Sequence, residues 1–221
     1  MFKKIRMIRI IILSLYLLIL GVAISYGASD ESVADGHLSN GLESYLAEKY
    51  SEALEHFNKA IEAKKDFKEA YYSRGNAYYK LDEYDNALED FDKAIKIDPT
   101  YAEAYNQRGY LYAKDLNVFD LAIDDFDAAI ELNQKYKVAY INRGNAHTAI
   151  GEHEKAVLDY SKIIEIDPGY INAYYNRGAL YLLMNDNVNA VKDFEKFMEK
   201  APDGMEKQKV KVQSILDQLK N

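Results

Sequence analysis

Arginine and aspartate side chains can take part in catalysis or form ion pairs, and in this chain they recur at fixed intervals. Each aspartate follows an arginine by 16 or 17 residues. The set is Arg74, Arg108, Arg143 and Arg177 with Asp90, Asp125, Asp159 and Asp193. An active site needs one such constellation, whereas four copies indicate a structural role. We therefore predict four structural Arg–Asp pairs and no catalytic residue among them.

The other residue types that carry chemistry form no catalytic pattern. The chain has no cysteine, which excludes disulfides, thiolate metal sites and cysteine nucleophiles. His147 and His153 lack the i, i+4 spacing that helical zinc ligands favour. The glycines are dispersed along the chain rather than gathered in a phosphate-binding loop. We expect no enzyme activity, no metal site and no cofactor.

Five glycines divide the chain into repeats. Gly41, Gly75, Gly109, Gly144 and Gly178 are separated by 34, 34, 35 and 34 residues, a period typical of a stacked-repeat solenoid. With each glycine at repeat position 8, the repeats are 34–67, 68–101, 102–136, 137–170 and 171–204. Residues 29–33 are then a linker. The extra residue of the third repeat is expected in a longer turn around Asp115 to Val118.

Within a repeat, apolar and small residues recur at helical spacing. Positions 4, 8 and 11 form one set, and positions 20, 24 and 27 form a second. Each repeat is therefore predicted to contain two amphipathic helices joined by a short turn. Small residues at positions 8 and 20 allow the helices to approach closely, and aromatic residues fill the space around that contact. Antiparallel pairing also brings the arginine at position 7 next to the aspartate at position 23.

The pattern resembles the tetratricopeptide repeat family. The second repeat shows it in full, with Tyr71, Gly75, Tyr78, Ala87, Phe91, Ala94 and Pro99. The resemblance spans residues 34–204 and implies an all-α fold, a right-handed superhelical solenoid of helix-turn-helix repeats. After the last repeat, one apolar stripe is formed by Val212, Ile215, Leu216 and Leu219. The stripe predicts a C-terminal capping helix over 205–221, with an interaction helix as the alternative.

In tetratricopeptide arrays the first helix of each repeat lines a concave face, so the resemblance implies a partner-binding groove there. The predicted groove residues are Tyr72, Asn76, Tyr79, Asn106, Tyr110, Asn142, Asn145, Tyr175 and Asn176. None of the positions assigned to the groove is lysine or arginine, which argues against the carboxylate clamp of chaperone-binding members. Tyrosine and asparagine suit an extended or helical polypeptide segment, neutral or mildly basic.

These features favour a protein–protein interaction scaffold or adaptor. Binding of glycan or peptidoglycan strands, as an accessory of an envelope enzyme, is the alternative, and self-association is a third. The net charge of −8 argues against a nucleic-acid partner, because a nucleic-acid surface would be basic. The sequence specifies neither the identity of the partner nor the oligomeric state.

The N-terminus has the composition of an export signal. Lys3, Lys4, Arg6 and Arg9 precede an apolar core, and small residues follow it. Residues 1–28 are therefore predicted to be a cleaved signal peptide or an uncleaved anchor that crosses the membrane through residues 10–28. Either alternative places the repeats outside the cytoplasm, in the periplasm or the extracellular space.

Overall fold

The computed structural model describes residues 30–220, and every regular element within that range is an α-helix. The predicted signal peptide or anchor lies outside the described residues. The helices are α1 (30–46), α2 (Tyr50–Ala63), α3 (Lys68–Lys80), α4 (Tyr84–Ile97), α5 (Ala102–Lys114), α6 (Phe119–Leu132), α7 (Lys137–Ala149), α8 (His153–Ile166), α9 (Ile171–Leu183), α10 (Asn187–Lys200) and α11 (Glu206–Lys220). None of these helices is long and apolar enough to cross a membrane.

The described residues divide into two compact units, unit 1 with residues 30–99 and unit 2 with residues 100–220. In the described part of unit 1, α2 packs against α3 and α3 against α4. In unit 2, each helix from α5 to α10 packs against the next one along the chain, and α5 also contacts α7. Two helices per repeat, joined by a short turn, confirm the predicted all-α class of helix-turn-helix repeats.

The predicted linker is helical over residues 30–33, because α1 already includes them. One side-chain contact is formed by this additional helical segment. The Lys64 ammonium, at the end of α2, donates to the Glu31 carboxylate at 2.8 Å. This ion pair joins the beginning of α1 to its neighbouring helix, a contact that the repeat pattern does not contain.

Close approach of the paired helices depends on glycine at position 8. A Cβ atom on Gly109 would lie 2.9 Å from Phe126 Cε1 and 3.0 Å from the carbonyl oxygen of Ala122. Ala122 and Phe126 have no exposed surface. The small residues and the aromatic ring therefore form one contact, in which the ring occupies the space that a side chain on the glycine would need.

A left-handed residue ends the first helix of each repeat: Glu48, Asp82, Asn117, Gly151 and Asn185. In the second repeat the amide of Glu83 then donates to the carbonyl of Tyr78 at 3.0 Å, a bond of the Schellman type that satisfies a terminal carbonyl. The extra residue of the third repeat lies in this turn, as expected. There the amide of Val118 donates to the carbonyl of Tyr112 at 2.8 Å, so the turn closes across one more residue.

All four predicted Arg–Asp pairs are in contact, and their carboxylates are buried. In the second repeat, Arg74 donates to both oxygens of Asp90, from Nε at 2.8 Å and from Nη2 at 2.6 Å. The four aspartates are at most 5% exposed. Burial raises the pKa of Asp90, and the guanidinium of Arg74 opposes that shift. The guanidinium is thus the group that compensates a carboxylate removed from water.

Arg74, Arg143 and Arg177 also reach the second helix of the preceding repeat. Arg74 Nη1 donates to Asn58 Oδ1 at 2.6 Å, and Arg177 Nη1 donates to Ser161 Oγ at 2.8 Å. Arg143 makes the corresponding bond to Asp127. Each of these side chains therefore connects three helices, so the register of the helices within a repeat is coupled to the stacking of one repeat on the next.

The C-terminal segment forms α11, which covers the last repeat. Val212 and Leu216 are buried in one cluster with Phe194 and Phe197 of α10. Ile215 and Leu219 pack at the edge of the same cluster. The apolar stripe identified in the sequence is therefore the face of α11 that contacts the repeats.

Candidate functional site

Two neighbouring clefts lie in unit 2, where the first helices of successive repeats run beside each other. The first cleft has a volume of about 290 Å³ and is lined from α5 by Tyr110, Ala113 and Lys114, from α6 by Phe119 and Phe126, and from α7 by Asn142, Asn145 and Ala146. The second has a volume of about 180 Å³ and is lined by Asn145, Thr148, Tyr160, Asn176, Ala179, Leu180 and Leu183. Asn145 lines both clefts, and together they are named the unit 2 groove.

Four of the nine predicted groove residues line the unit 2 groove: Tyr110, Asn142, Asn145 and Asn176. Asn106 was predicted to face the partner, but it is only 1% exposed. Its amide oxygen accepts a hydrogen bond from Nδ2 of Asn142 at 3.0 Å. Asn106 thus orients a residue of the groove instead of contacting a partner.

A buried tyrosine contributes a polar atom to the second cleft. The hydroxyl of Tyr160 donates to Oδ1 of Asn145 at 2.7 Å. Burial raises the pKa of Tyr160, so its hydroxyl stays protonated and acts as a donor. The sequence analysis assigned Tyr160 to the core because position 24 holds an aromatic residue in every repeat. Phenylalanine occupies that position in the other four repeats. The replacement of phenylalanine by tyrosine in the fourth repeat was the sequence feature that could have indicated a polar role for Tyr160.

Tyr175 has a different environment from the one predicted. Its ring packs against Phe197, with centroids 5.5 Å apart, and the Lys211 ammonium of α11 lies 5.8 Å from its centroid. The interaction with Tyr175 raises the pKa of Lys211. The capping helix therefore covers part of the Tyr175 ring. The ring contributes to packing at the end of unit 2, and it is less available to a partner than predicted.

One lysine side chain lies next to a tyrosine of the unit 2 groove, although no lysine occupies a predicted groove position. Lys114 Nζ lies 5.1 Å from the ring centroid of Tyr110 and lines the first cleft. Lys114 follows the positions that family geometry assigns to the groove, and the position list therefore missed it. No aspartate or glutamate lines either cleft. The unit 2 groove thus combines amide, hydroxyl and aromatic groups with one ammonium group.

In unit 1 the predicted residues Tyr72, Asn76 and Tyr79 lie half-buried on α3. The Tyr72 ring is 6.1 Å from that of Phe91, and the Tyr79 ring is 6.0 Å from that of Tyr84. These residues extend an aromatic surface along α3.

A tyrosine of the first repeat, missed by the sequence analysis, lies close to the unit 1 aromatic surface. Burial raises the pKa of Tyr45, and the nearby Tyr50 and Tyr72 add to the shift. Tyr45 stands at position 12, as Tyr79 does, so the repeat alignment could have identified it. Within the described residues, no group of three or more histidine, aspartate or glutamate side chains is placed to hold a metal ion.

Comparison with known proteins places these features in a family. Models described as tetratricopeptide repeat match residues 69–101, 91–119 and 172–204, and a model described as TPR repeat matches 41–82 and 144–185. No curated protein matches the chain in sequence.

Solved structures of similar fold include two of MamA. One is 32% identical with a TM-score of 0.67, and the match covers 77% of this chain and 96% of that one. The other is 30% identical with a TM-score of 0.69, covering 76% and 91%. YrrB, described as a TPR protein with an unusual peptide-binding site, is 25% identical with a TM-score of 0.64, covering 76% and 87%. The repeat models and these structures agree with the helix pairs described above, and the chain belongs to the tetratricopeptide repeat family.

Proposed function

We propose that this protein is an exported scaffold or adaptor that binds an extended polypeptide segment in the unit 2 groove. The observation that carries the proposal is the pair of adjoining clefts that share Asn145. Asparagine amides offer a donor and an acceptor, as a peptide backbone does, so Asn142, Asn145 and Asn176 can pair with a chain laid along the groove. Aromatic and aliphatic surface between these amides accommodates side chains.

The charge of the groove favours a neutral or acidic segment over a basic one. Lys114 supplies a positive charge beside Tyr110, and the residues that line the two clefts include no carboxylate. We therefore propose a neutral or acidic segment, whereas the sequence alone predicts a neutral or mildly basic one. Charge complementarity at such a site acts chiefly on specificity and on the association rate, so it should discriminate between otherwise similar segments.

The similarity to YrrB supports a polypeptide ligand, since that protein is described as having a peptide-binding site. The basic and apolar N-terminal sequence supports export. Fractionation of cells combined with the N-terminal sequence of the isolated protein tests this part. A cytoplasmic protein that retains residues 1–28 would contradict export, whereas a membrane-bound protein with an intact N-terminus would favour the anchor.

Peptide binding can be tested with three matched pools of equal length that differ only in acidic, neutral or basic residues. Fluorescence anisotropy should show the tightest binding for the acidic or neutral pool. Asn145→Ala removes the residue common to both clefts, and the loss of one or two hydrogen bonds is expected to weaken binding by about 3–10-fold. Leu158→Ala is the matched control, because this side chain is 69% exposed on α8 and lines neither cleft.

Two outcomes would contradict the proposal. Equal binding by the Asn145→Ala protein and the Leu158→Ala control would place the interaction outside the unit 2 groove. Binding of isolated glycan strands, lost in Tyr110→Ala, with no binding of any peptide pool, would instead establish the carbohydrate alternative.

A further inference from the structure

In the second repeat, the guanidinium group of an arginine lies between the side chains at repeat positions 4 and 23. The guanidinium carbon of Arg74 is 5.4 Å from the ring centroid of Tyr71, at position 4. The same guanidinium binds the carboxylate of Asp90, at position 23. Arg143 makes the corresponding contacts with Tyr140 and Asp159 in the fourth repeat. In both repeats, the arginine at position 7 therefore places its positive charge between the side chains at positions 4 and 23.

The first repeat departs from this arrangement at all three positions. Histidines occupy positions 4 and 23, as His37 of α1 and His56 of α2, and position 7 holds Asn40, which has no charge. The two imidazole rings lie beside each other, with centroids 6.1 Å apart and planes inclined by 35°. Nδ1 of each ring is buried without a hydrogen-bond partner. Two buried nitrogens without partners, close to each other, are an uncommon feature that requires a ligand or a strong structural reason.

We propose that His37 and His56 bind a divalent transition-metal ion between α1 and α2, at the register position where the other repeats hold an arginine. Neutral imidazole is a ligand for copper, zinc and nickel ions. A metal–imidazole bond measures about 2.0–2.1 Å, so two rings that share an ion have centroids at most about 6.5 Å apart. The observed separation of 6.1 Å lies within that limit.

The chemistry of the pair favours Cu²⁺ among the divalent ions. Binding of first-row metals by a nitrogen site follows a general order in which Cu²⁺ is the strongest. The carboxylate of Glu52, one turn before His56, is engaged elsewhere, since it accepts from Ser44 Oγ at 3.2 Å and pairs with Lys49 at 3.3 Å. Two histidines therefore form the protein part of the site, and water completes the coordination.

A metal bound here would join the two helices of the first repeat. It would stabilise the folded state in proportion to its concentration relative to the dissociation constant, because the separated histidines of an unfolded chain bind it less well. The first repeat would thus gain from a metal the connection that the later repeats obtain from arginine.

The test uses the purified full chain without a histidine tag, stripped with a chelator and titrated with CuCl₂ or ZnCl₂. Calorimetry should show one equivalent of Cu²⁺ bound, and thermal unfolding should move to a higher temperature with added metal. The electron paramagnetic resonance spectrum of the copper complex should show coupling to imidazole nitrogen. This last measurement needs no variant, and it distinguishes histidine ligands from adventitious carboxylate binding.

Variants then assign the site. His56→Gln removes one ligand and should lower the affinity at least about tenfold, since even the loss of an outer-shell partner has an effect of that size. The triple change His37→Tyr, Asn40→Arg and His56→Asp gives the first repeat the residues of the others, and it should fold and lose the metal response. His153→Gln is the matched control, because Nδ1 of that residue is also buried without a partner but stands in unit 2.

The expected pattern is a full metal response in the unaltered protein and in His153→Gln, a response shifted to at least about tenfold higher metal concentration in His56→Gln, and none in the triple variant. A thermal shift of equal size in the triple variant would overturn the proposal. A spectrum without nitrogen coupling would do the same, and so would the absence of any response in the unaltered protein at about 1 mM metal, about a thousand times a micromolar dissociation constant.

Discussion

Replacing the glycine at position 8 with alanine is predicted to change stability in opposite directions in the third and the fourth repeat. Both glycines lie within helices, where alanine is more favourable than glycine by about 0.8–1.0 kcal/mol. The new Cβ at Gly144 would be 3.3 Å from Asp159 Cβ and 3.4 Å from Tyr160 Cζ, a tight but tolerable contact. We therefore expect Gly144→Ala to be neutral or to stabilise the protein by about 0.5 kcal/mol.

At Gly109 the same change meets a closer and stiffer surface. Its Cβ would lie 3.0 Å from the carbonyl oxygen of Ala122 and 2.9 Å from Phe126 Cε1. The carbonyl belongs to the backbone of α6 and cannot rotate away, so the helices must separate. Overpacking of this kind costs about 1–3 kcal/mol, which exceeds the gain in helix propensity. Gly109→Ala should therefore destabilise the protein by about 1–2 kcal/mol.

Urea unfolding followed by circular dichroism measures the difference, and both sites lie in unit 2, so they report on the same part of the molecule. The midpoint should fall for Gly109→Ala and stay or rise for Gly144→Ala, with the slope unchanged in each. Gly36→Ala is the control for helix propensity alone, because its Cβ would have nothing within 4 Å. Equal stabilisation at positions 109 and 144 would refute the close approach of α5 and α6.

Three further predictions follow from the same contacts. Arg108→Met should lower the free energy of unfolding by about 3–5 kcal/mol, because it leaves the buried Asp125 carboxylate uncompensated. Adding Asp125→Ala in a double-mutant cycle should recover part of this loss, and strictly additive effects would contradict an interaction between the two residues. Tyr160→Phe should cost about 1 kcal/mol in thermal unfolding and weaken peptide binding, because Asn145 loses its donor; unchanged binding would argue against that role. Gly151→Ala should cost about 1–2 kcal/mol, whereas Asp82→Gly should stabilise, because both residues have positive φ; opposite signs in chemical denaturation would contradict this explanation.

The architecture could be predicted because it depends on local periodicity. The spacing of Gly75, Ala87 and Phe91 predicts two amphipathic helices, and the same spacing recurs in the other four repeats. The Arg–Asp contact was also accessible, since antiparallel pairing fixes which positions of two helices meet. The second partners of the arginines were not, because they come from the preceding repeat and depend on how repeats stack.

The candidate site was predicted only in part, since exposure depends on packing that repeat positions do not specify. Asn106 and Asn142 were both expected to face a partner, yet one is buried and orients the other. Tyr160 looked like a core residue, yet its hydroxyl reaches the groove. A position number gives the direction of a side chain from its helix, whereas the neighbours that cover it come from other helices.

The sequence by itself determined the repeat family, the helix pairs and the ionic register, because each arises from residues at fixed separations within one repeat. Tertiary structure decided which polar groups remain accessible, where a lysine joins the groove and which side chains connect one repeat to the next. Lys211 reaches Tyr175 across a distance of 36 positions in the chain, and Arg177 reaches Ser161 of the preceding repeat. Such contacts depend on the three-dimensional stacking of helices, which periodicity along the chain does not encode.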